Sequence, residues 1–199
     1  MVYALNNARC DFGHSYVRDL ECYGDLIRGG HGVTITYKSF PGRDFRHFNR
    51  RPELIEGAIT GVPDIVIVIL GGNSILDGIP KACLFEQCRK FYSFLRNFLN
   101  EINPACKIVA AQCELRFYKP SNRYGAPGPE EFRIKRNYFN TYIRRMNLKD
   151  NLLIVAGPGR LDHQKYYRSD GIHLNDSGLR LYASLVSSTL WYIMNHCRS

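Results

Sequence analysis

Apolar runs with the spacing of strands alternate along the chain with segments that have the spacing of helices. Residues 63–72 have the sequence PDIVIVILGG, a continuous β-branched run ended by glycines, and residues 106–115 and 151–159 repeat this type. Such runs are typical of strands buried on both faces of a parallel sheet. Residues 32–40 alternate Val, Ile and Tyr with Thr and Lys, which also predicts a strand.

Helical periodicity fills the segments between these strands. Pro104 is predicted to end the first helix, and Asn175 or Asp176 to cap the last one. Strand–helix alternation of this kind predicts an open, mostly parallel sheet covered by helices on both faces. The apolar stripes expected to face the core are Leu84, Cys88, Phe91, Leu95, Phe98 and Ile102; Phe132, Phe139, Tyr142 and Met146; and Leu179, Tyr182, Val186, Leu190 and Ile193.

The bulk properties fit one globular domain, taken as residues 1–199. No apolar run reaches the length of about 18 residues that a membrane span needs, and the N-terminus lacks the pattern of a signal peptide. Seven cysteines, an odd number with no CxxC pair, favour free thiols in a reducing compartment over disulfides or a zinc site. We therefore expect an intracellular protein, cytoplasmic or nuclear, that holds no metal.

Positive charge is concentrated in one part of the chain. The formal net charge is +9, and residues 114–149 carry nine basic and three acidic side chains. Such a segment could bind nucleic acid, an anionic membrane surface or an acidic partner, or simply be a solvated face. It also contains the longest predicted loop, residues 119–131, rich in Pro and Gly. The candidates for nucleic-acid contacts are Arg116, Lys119, Arg123, Arg133, Lys135, Arg136, Arg144 and Arg145.

Three places at expected strand ends carry candidate chemistry, since ligands bind beyond the carboxyl ends of strands in such sheets. Asp170 and His173 are close enough for the carboxylate to hold one imidazole nitrogen while the other faces Ser15. A serine at a helix start can offer its own N–H to an oxyanion, and the amide of Asn73 is a second donor. Taken singly, each feature also fits an ordinary cap or turn.

The other histidines have weaker support. His31, His47, His163 and His196 have no carboxylate partner at a useful spacing, and we predict that they are surface or loop residues. His163 lies in the stretch that leads to Asp170, so it could border the cleft. With it, His14, Gly71, Gly72 and Ser74 are possible cleft residues.

Four short blocks in fixed order make the chain similar to the SGNH (GDSL-type) serine hydrolases. They are Gly13-His14-Ser15, Gly42 in SFPGRDF, Gly71-Gly72-Asn73-Ser74 and Asp170-Gly171-Ile172-His173. The resemblance implies a flavodoxin-like, three-layer α/β/α sandwich with a mostly parallel, five-stranded sheet. It also implies that Ser15 is the nucleophile, that His173 is the general base and then acid, and that Asp170 orients His173. The backbone N–H groups of Ser15 and Gly42 and the side-chain amide of Asn73 would form the oxyanion hole.

The chain departs from that family's pattern in three places. His14 and Ser74 stand where the family has aspartates, and the expected strand before Gly13 contains Arg9 and Asp11. The GHS…VR form of the first block is also similar to esterase-like domains of some eukaryotic retroelements. Two functions stay open: an esterase for small ester substrates, acetyl or short-chain, that needs no cofactor, and a catalytically silent module that binds nucleic acid or an acidic partner.

Overall fold

Four parallel strands form the sheet in the computed structural model, which describes residues 12–13, 15–27, 34–59, 61–76, 79–117, 127–150, 153–156 and 161–196. Within these residues the strands follow one another in chain order across the sheet: β1 (Phe12–Gly13), β2 (Ile65–Ile69), β3 (Lys107–Ala111) and β4 (Leu153–Ala156). Gly13 is paired with Ile69, and Val68 with Ala110. Because all four strands are parallel, their carboxyl ends lie along one edge of the sheet.

Helices connect and cover these strands. In the described residues they are α1 (Ser15–Glu21), α2 (Phe45–Arg50), α3 (Glu53–Glu56), α4 (Gly72–Leu76), α5 (Lys81–Ile102), α6 (Pro129–Asp150) and α7 (Asp176–His196). The predicted end of α5 before Pro104 is confirmed. The cap of α7 is Asn175, whose side-chain oxygen accepts the Gly178 N–H at 3.0 Å. None of the described helices is both long and apolar enough to cross a membrane.

Two hydrophobic cores lie on opposite faces of the sheet. Along β2, Val66 and Val68 pack with α2, α5 and α6, whereas Ile65, Ile67 and Ile69 pack with α1 and α7. This alternation follows from the two-residue period of a strand, and all five residues are buried. The predicted stripes of α5 and α7 supply one core each. The three-layer α/β/α fold class is therefore confirmed.

The predicted strand at residues 32–40 is wrong for its described part. Residues 34–40 form no strand, so the described sheet has four strands rather than five. Residues 35–40 are half-buried, and Ile35 and Tyr37 pack against the core beneath α1 and α7. An alternating pattern indicates which side chains face a core, and such a pattern does not require an extended strand.

The predicted loop at residues 119–131 is too long at its C-terminal end. Helix α6 begins at Pro129, so residues 129–131 form its first turn. Proline suits the first helical position because its missing N–H has no partner there in any helix, and Glu130 and Glu131 complement the positive end of the helix dipole. Residues 119–126 lie outside the described residues.

The five described cysteines are all free thiols, as predicted. Cys88, Cys106 and Cys113 are buried, whereas Cys22 and Cys83 are exposed. Burial raises the pKa of the Cys106 and Cys113 thiols to about 12, which suppresses the reactive thiolate form. These two thiols serve as small core side chains rather than nucleophiles.

Candidate active site

Asp170 and His173 form a hydrogen-bonded pair in the loop before α7. Asp170 Oδ2 lies 2.6 Å from His173 Nδ1, while its Oδ1 accepts the backbone N–H groups of Ile172 at 2.8 Å and His173 at 2.9 Å. An aspartate that binds its own backbone two and three residues on forms an Asx-type turn, so the sequence builds this pair locally. With Nδ1 held by Asp170, Nε2 is the nitrogen through which His173 would exchange a proton.

The charge of Asp170 is stabilised by the same contacts. Partial burial opposes its ionisation, but the hydrogen bonds from the His173 ring and from the two N–H groups outweigh it and hold the pKa of the carboxyl below its ordinary value. An ionised carboxylate on Nδ1 fixes the tautomer and orientation of the ring and stabilises its protonated form.

Asn73 lies at the start of α4, directly beyond the end of β2. Its Nδ2 donates to the backbone carbonyl of Arg43 at 3.1 Å, and its Oδ1 accepts from Arg116 Nη2 at 3.3 Å. The amide is therefore held at both ends, by the loop before α2 on one side and by the segment after β3 on the other.

Gly42 is at the tip of a tight turn beside Asn73. The Arg43 N–H donates to the Phe40 carbonyl at 3.2 Å across Pro41 and Gly42, and Gly42 has a φ of 72°. A type II turn commonly has proline as its first central residue and has a residue with positive φ, usually glycine, as its second central residue. Because Arg43 contacts the Asn73 amide, this turn places Gly42 next to the third block.

Ser15 is the first residue of α1 and follows β1 closely. Since Gly13 pairs with Ile69, Ser15 and Asn73 lie beyond the ends of adjacent strands. The side chain of Ser15 and the whole of His14 lie outside the described part of the structure. Helix α1 is tied to the Asp170–His173 loop by an ion pair of 2.9 Å between Asp19 and Arg168.

Backbone contacts complete the connection between the four blocks. The Arg168 N–H donates to the His173 carbonyl at 2.7 Å, and the Phe117 N–H donates to the Gly171 carbonyl at 2.7 Å. Phe117 follows Arg116, which contacts Asn73. A continuous series of contacts thus runs from Gly42 through Asn73 and Arg116 to the Asp170–His173 loop and on to α1.

The possible cleft residues occupy different environments. Gly71 and Gly72 are buried at the end of β2, and Ser74 is fully buried, with no hydrogen bond from its hydroxyl to any described residue. Ser74 therefore does not line an open cleft, because its side chain is buried. His163 is exposed, and its Nδ1 accepts the Lys165 N–H at 3.1 Å, which caps a short 3₁₀ turn at Gln164–Tyr166.

A second Asp-x-x-His pair was missed by the sequence analysis. His47 does have a carboxylate partner: its Nδ1 lies 2.7 Å from Asp44 Oδ1, and Asp44, only 1% exposed, also forms an ion pair with Arg46 at 2.8 Å. The spacing of three residues, the same as in Asp170–His173, was the available signal. Asp44 caps α2 and accepts the His47 N–H, so the pair anchors the helix that follows the Gly42 turn.

The charge of Asp44 gives the first prediction. Burial opposes its ionisation, but the contacts with Arg46 and His47 outweigh it and lower its pKa. Its contribution to stability is therefore present above the ordinary pKa of an aspartate and lost as pH falls through the lowered, folded value. Asp44→Asn keeps the cap but removes the charge, and we expect it to lower the free energy of unfolding at pH 7 by about 1–2 kcal/mol.

Urea titrations of wild type and Asp44→Asn at pH 7 and below the ordinary pKa of an aspartate test this. The difference between the two proteins should shrink towards the acid end. A difference that stays constant with pH would show that the charge of Asp44 contributes nothing.

Two of the basic residues predicted to contact nucleic acid are buried. Arg116 and Arg136 are only 5% and 7% exposed, which corrects their prediction as surface residues. Arg136 turns inward because its Nε donates to the Cys113 carbonyl at 2.8 Å beyond the end of β3. Of the rest, Arg133 and Lys135 form ion pairs with Glu130 and Glu131, Arg144 and Arg145 are exposed, and Lys119 and Arg123 lie outside the described residues.

No group of three His, Cys, Asp or Glu side chains in the described ranges is arranged to hold a metal ion. The groups described at this edge of the sheet are a carboxylate–imidazole pair and a side-chain amide, and the first residue of α1 beside them is Ser15. These groups suit acyl transfer, in which a base takes a proton and N–H donors stabilise an oxyanion.

Comparisons with known proteins agree with this architecture. The family model of the GDSL-like lipase/acylhydrolase family matches residues 12–181, while none of the curated protein sequences compared gives a significant match. Among solved structures, one described as a putative platelet activating factor from Streptococcus pneumonia is 16% identical with a TM-score of 0.67, covering 90% of this chain and 81% of its own. A GDSL-like lipase from Bacteroides thetaiotaomicron is 15% identical with a TM-score of 0.63, covering 90% and 85%.

An acetyl esterase mutant with acetate ion is 13% identical, with a TM-score of 0.59 and 94% of each chain covered. At these identities the structural likeness establishes the fold alone.

Proposed function

Because the chain belongs to the GDSL-like lipase/acylhydrolase family, we propose that it hydrolyses small acyl esters through Ser15, His173 and Asp170. In this proposal the acyl group is acetyl or another short chain, and the reaction needs no cofactor. The backbone N–H groups of Ser15 and Gly42 and the amide of Asn73 supply the oxyanion hole.

The observation that carries the proposal is the contact between Asp170 and His173. A carboxylate 2.6 Å from Nδ1 is the arrangement that a general base needs, because it fixes Nε2 as the proton acceptor and stabilises the imidazolium that forms. The loop is tied to α1, whose first residue is Ser15, by the Arg168–Asp19 ion pair.

The proposed reaction proceeds in two steps. His173 Nε2 takes the proton of the Ser15 hydroxyl as Oγ attacks the ester carbonyl, and the imidazolium then gives that proton to the departing alcohol. Water attacks the acyl-enzyme with His173 again as base, and the carboxylic acid leaves as Ser15 regains its proton. In both steps the proposed N–H donors of Ser15, Gly42 and Asn73 would stabilise the negative charge on the carbonyl oxygen.

Acetate is the first acyl group to test, since an acetyl esterase is among the proteins with a similar fold. The experiment measures hydrolysis of 4-nitrophenyl acetate by wild type, Ser15→Ala and Ser184→Ala. Ser184 is an exposed serine of α7 and serves as the matched control. We expect Ser15→Ala to lower kcat by about four orders of magnitude or more and Ser184→Ala to leave it unchanged.

Equal activity of Ser15→Ala and wild type would remove Ser15 as the nucleophile. Absence of turnover by the wild type on acetyl, propionyl and butyryl esters would reject hydrolysis of short acyl esters.

A further inference from the structure

Arg116 is a buried arginine in the segment that follows β3. It is 5% exposed, its Nη2 donates to Asn73 Oδ1 at 3.3 Å, and its guanidinium lies 5.5 Å from the centre of the Phe132 ring. Nothing in its sequence context distinguishes it from the other basic residues of the segment. Its position does, because it is the basic side chain that contacts Asn73 in the described structure.

An arginine partner determines the orientation of an asparagine amide, that is, the directions in which Oδ1 and Nδ2 point. The two ends of an asparagine side chain are nearly the same size, so their orientation is set by the hydrogen bonds that each end makes. Arginine can only donate, so the group that faces Arg116 must be Oδ1. Nδ2 is then directed the other way, where one of its two hydrogens binds the Arg43 carbonyl and the second points elsewhere.

The backbone beside Asn73 is shaped to admit this guanidinium. A Cβ placed on Gly72 would lie 2.5 Å from Arg116 Nη2 and 3.2 Å from its Cζ. Any side chain at residue 72 would therefore push the guanidinium away from the Asn73 amide. Glycine at this position does more than allow a turn, since it lets a buried cation approach the residue that follows.

We propose that Arg116 is a positioning residue that holds the Asn73 amide with its second N–H, the one not bound to the Arg43 carbonyl, towards the oxyanion. The proposal rests on the function proposed above, in which Asn73 stabilises the oxyanion. Arg116 also polarises the amide: a cation on Oδ1 draws electron density from Nδ2 and makes its N–H a stronger donor. Arg116 acts through Asn73 and does not itself touch the reacting atoms.

The test is a double-mutant cycle of Arg116→Met and Asn73→Ala, measured as kcat and KM on 4-nitrophenyl acetate. Asn73→Ala is expected to lower kcat about 100-fold to 1,000-fold, the usual effect of removing one oxyanion donor. Arg116→Met in the wild-type background is expected to lower kcat about 10-fold to 100-fold with little change in KM, since only the transition state loses stabilisation. In the Asn73→Ala background the same substitution should have no further effect.

Arg136→Met is the matched control, because Arg136 is an equally buried arginine that contacts the Cys113 carbonyl and Asp162 instead of Asn73. In the double mutant, the fold reductions in kcat caused by Arg136→Met and by Asn73→Ala should multiply, as expected for independent residues. Arg116→Lys, which keeps a cation in place, should recover part of the activity lost in Arg116→Met. If Arg116→Met lowers kcat as much without Asn73 as with it, Arg116 is a structural residue and the proposal is overturned.

A second measurement separates this proposal from the proposed function. The side-chain NH₂ resonances of Asn73, identified in ¹H–¹⁵N spectra by their loss in Asn73→Ala, should shift in Arg116→Met and stay in place in Arg136→Met. This holds whether or not the wild type turns over an ester. Absence of turnover would therefore reject the proposed function alone, whereas unshifted resonances in Arg116→Met would reject the role of Arg116.

Discussion

Replacement of His173 by alanine is expected to lower kcat on a short acyl ester by about four to six orders of magnitude. In the proposed mechanism the imidazole takes the proton of Ser15 and gives it to the leaving alcohol, so its loss would remove both proton transfers. Asp170→Asn should have an effect at the lower end of this range, about four orders of magnitude, because an amide on Nδ1 neither fixes the reactive tautomer nor stabilises the imidazolium. Steady-state kinetics of the three proteins at one pH checks both values.

His163→Ala is the matched control for this prediction. His163 precedes the same loop and is exposed, and its Nδ1 accepts the Lys165 N–H in a local turn. We expect its kcat to stay within about twofold of the wild type, as for other surface substitutions. If His163→Ala and His173→Ala lose activity equally, the loop as a whole is required and His173 has no special role as base.

Replacement of Glu114 by glutamine is expected to change how stability depends on pH. Glu114 is buried directly beyond β3, and neither of its side-chain oxygens accepts a hydrogen bond from the described residues. With Gly72 and Arg116 it lines a cavity of about 10 Å³, close to the space of a single water molecule. Burial raises the pKa of this carboxyl well above its ordinary value, although the charge of Arg136 acts in the opposite direction.

The sign of the effect follows from proton binding. Between the ordinary pKa of a glutamate and the raised, folded value, the native state holds a proton that the unfolded state has released. Stability of the wild type therefore falls as pH rises through this range, by about 1.4 kcal/mol per pH unit from Glu114 alone. Glu114→Gln removes this dependence. The free energy of unfolding of the variant, relative to that of the wild type, should therefore rise by the same amount per pH unit.

Urea denaturation at pH 5, 6 and 7 measures this difference. Glu101→Gln, at an exposed position near the end of α5, removes one negative charge in the same chemical way and is the control. A difference between wild type and Glu114→Gln that does not change with pH would show that Glu114 is ionised in the native state.

The sheet and the long helices could be predicted because burial on both faces leaves a clear pattern. All five residues of β2 are apolar because both faces of the strand are buried, and α7 has an apolar stripe because one of its faces is buried. Both patterns can be seen in the sequence without knowing any distant contact. Residues 34–40 show the limit of this argument. Their alternation correctly indicates one buried face, but whether a neighbouring strand pairs with their backbone depends on the rest of the fold.

The candidate site could be predicted where its geometry is local and not where it depends on distant residues. Asp170 and His173 belong to one turn, so their spacing indicates their contact. The inward direction of Arg116 and Arg136 could not be predicted, because their acceptors, Asn73 and the Cys113 carbonyl, are 43 and 23 residues away in the chain. Asp44 and His47 were overlooked although their three-residue spacing was visible in the sequence.

The central claim, that Ser15 is an activated nucleophile, is tested most directly by covalent labelling with a fluorophosphonate. Attack by Oγ forms a phosphorus–oxygen bond and releases fluoride, so intact-protein mass spectrometry counts the adducts and peptide mapping places them. We predict one adduct per chain on the peptide that contains Ser15, none in Ser15→Ala, and much slower labelling in His173→Ala. An unlabelled wild type, or an adduct that persists in Ser15→Ala, would contradict the account.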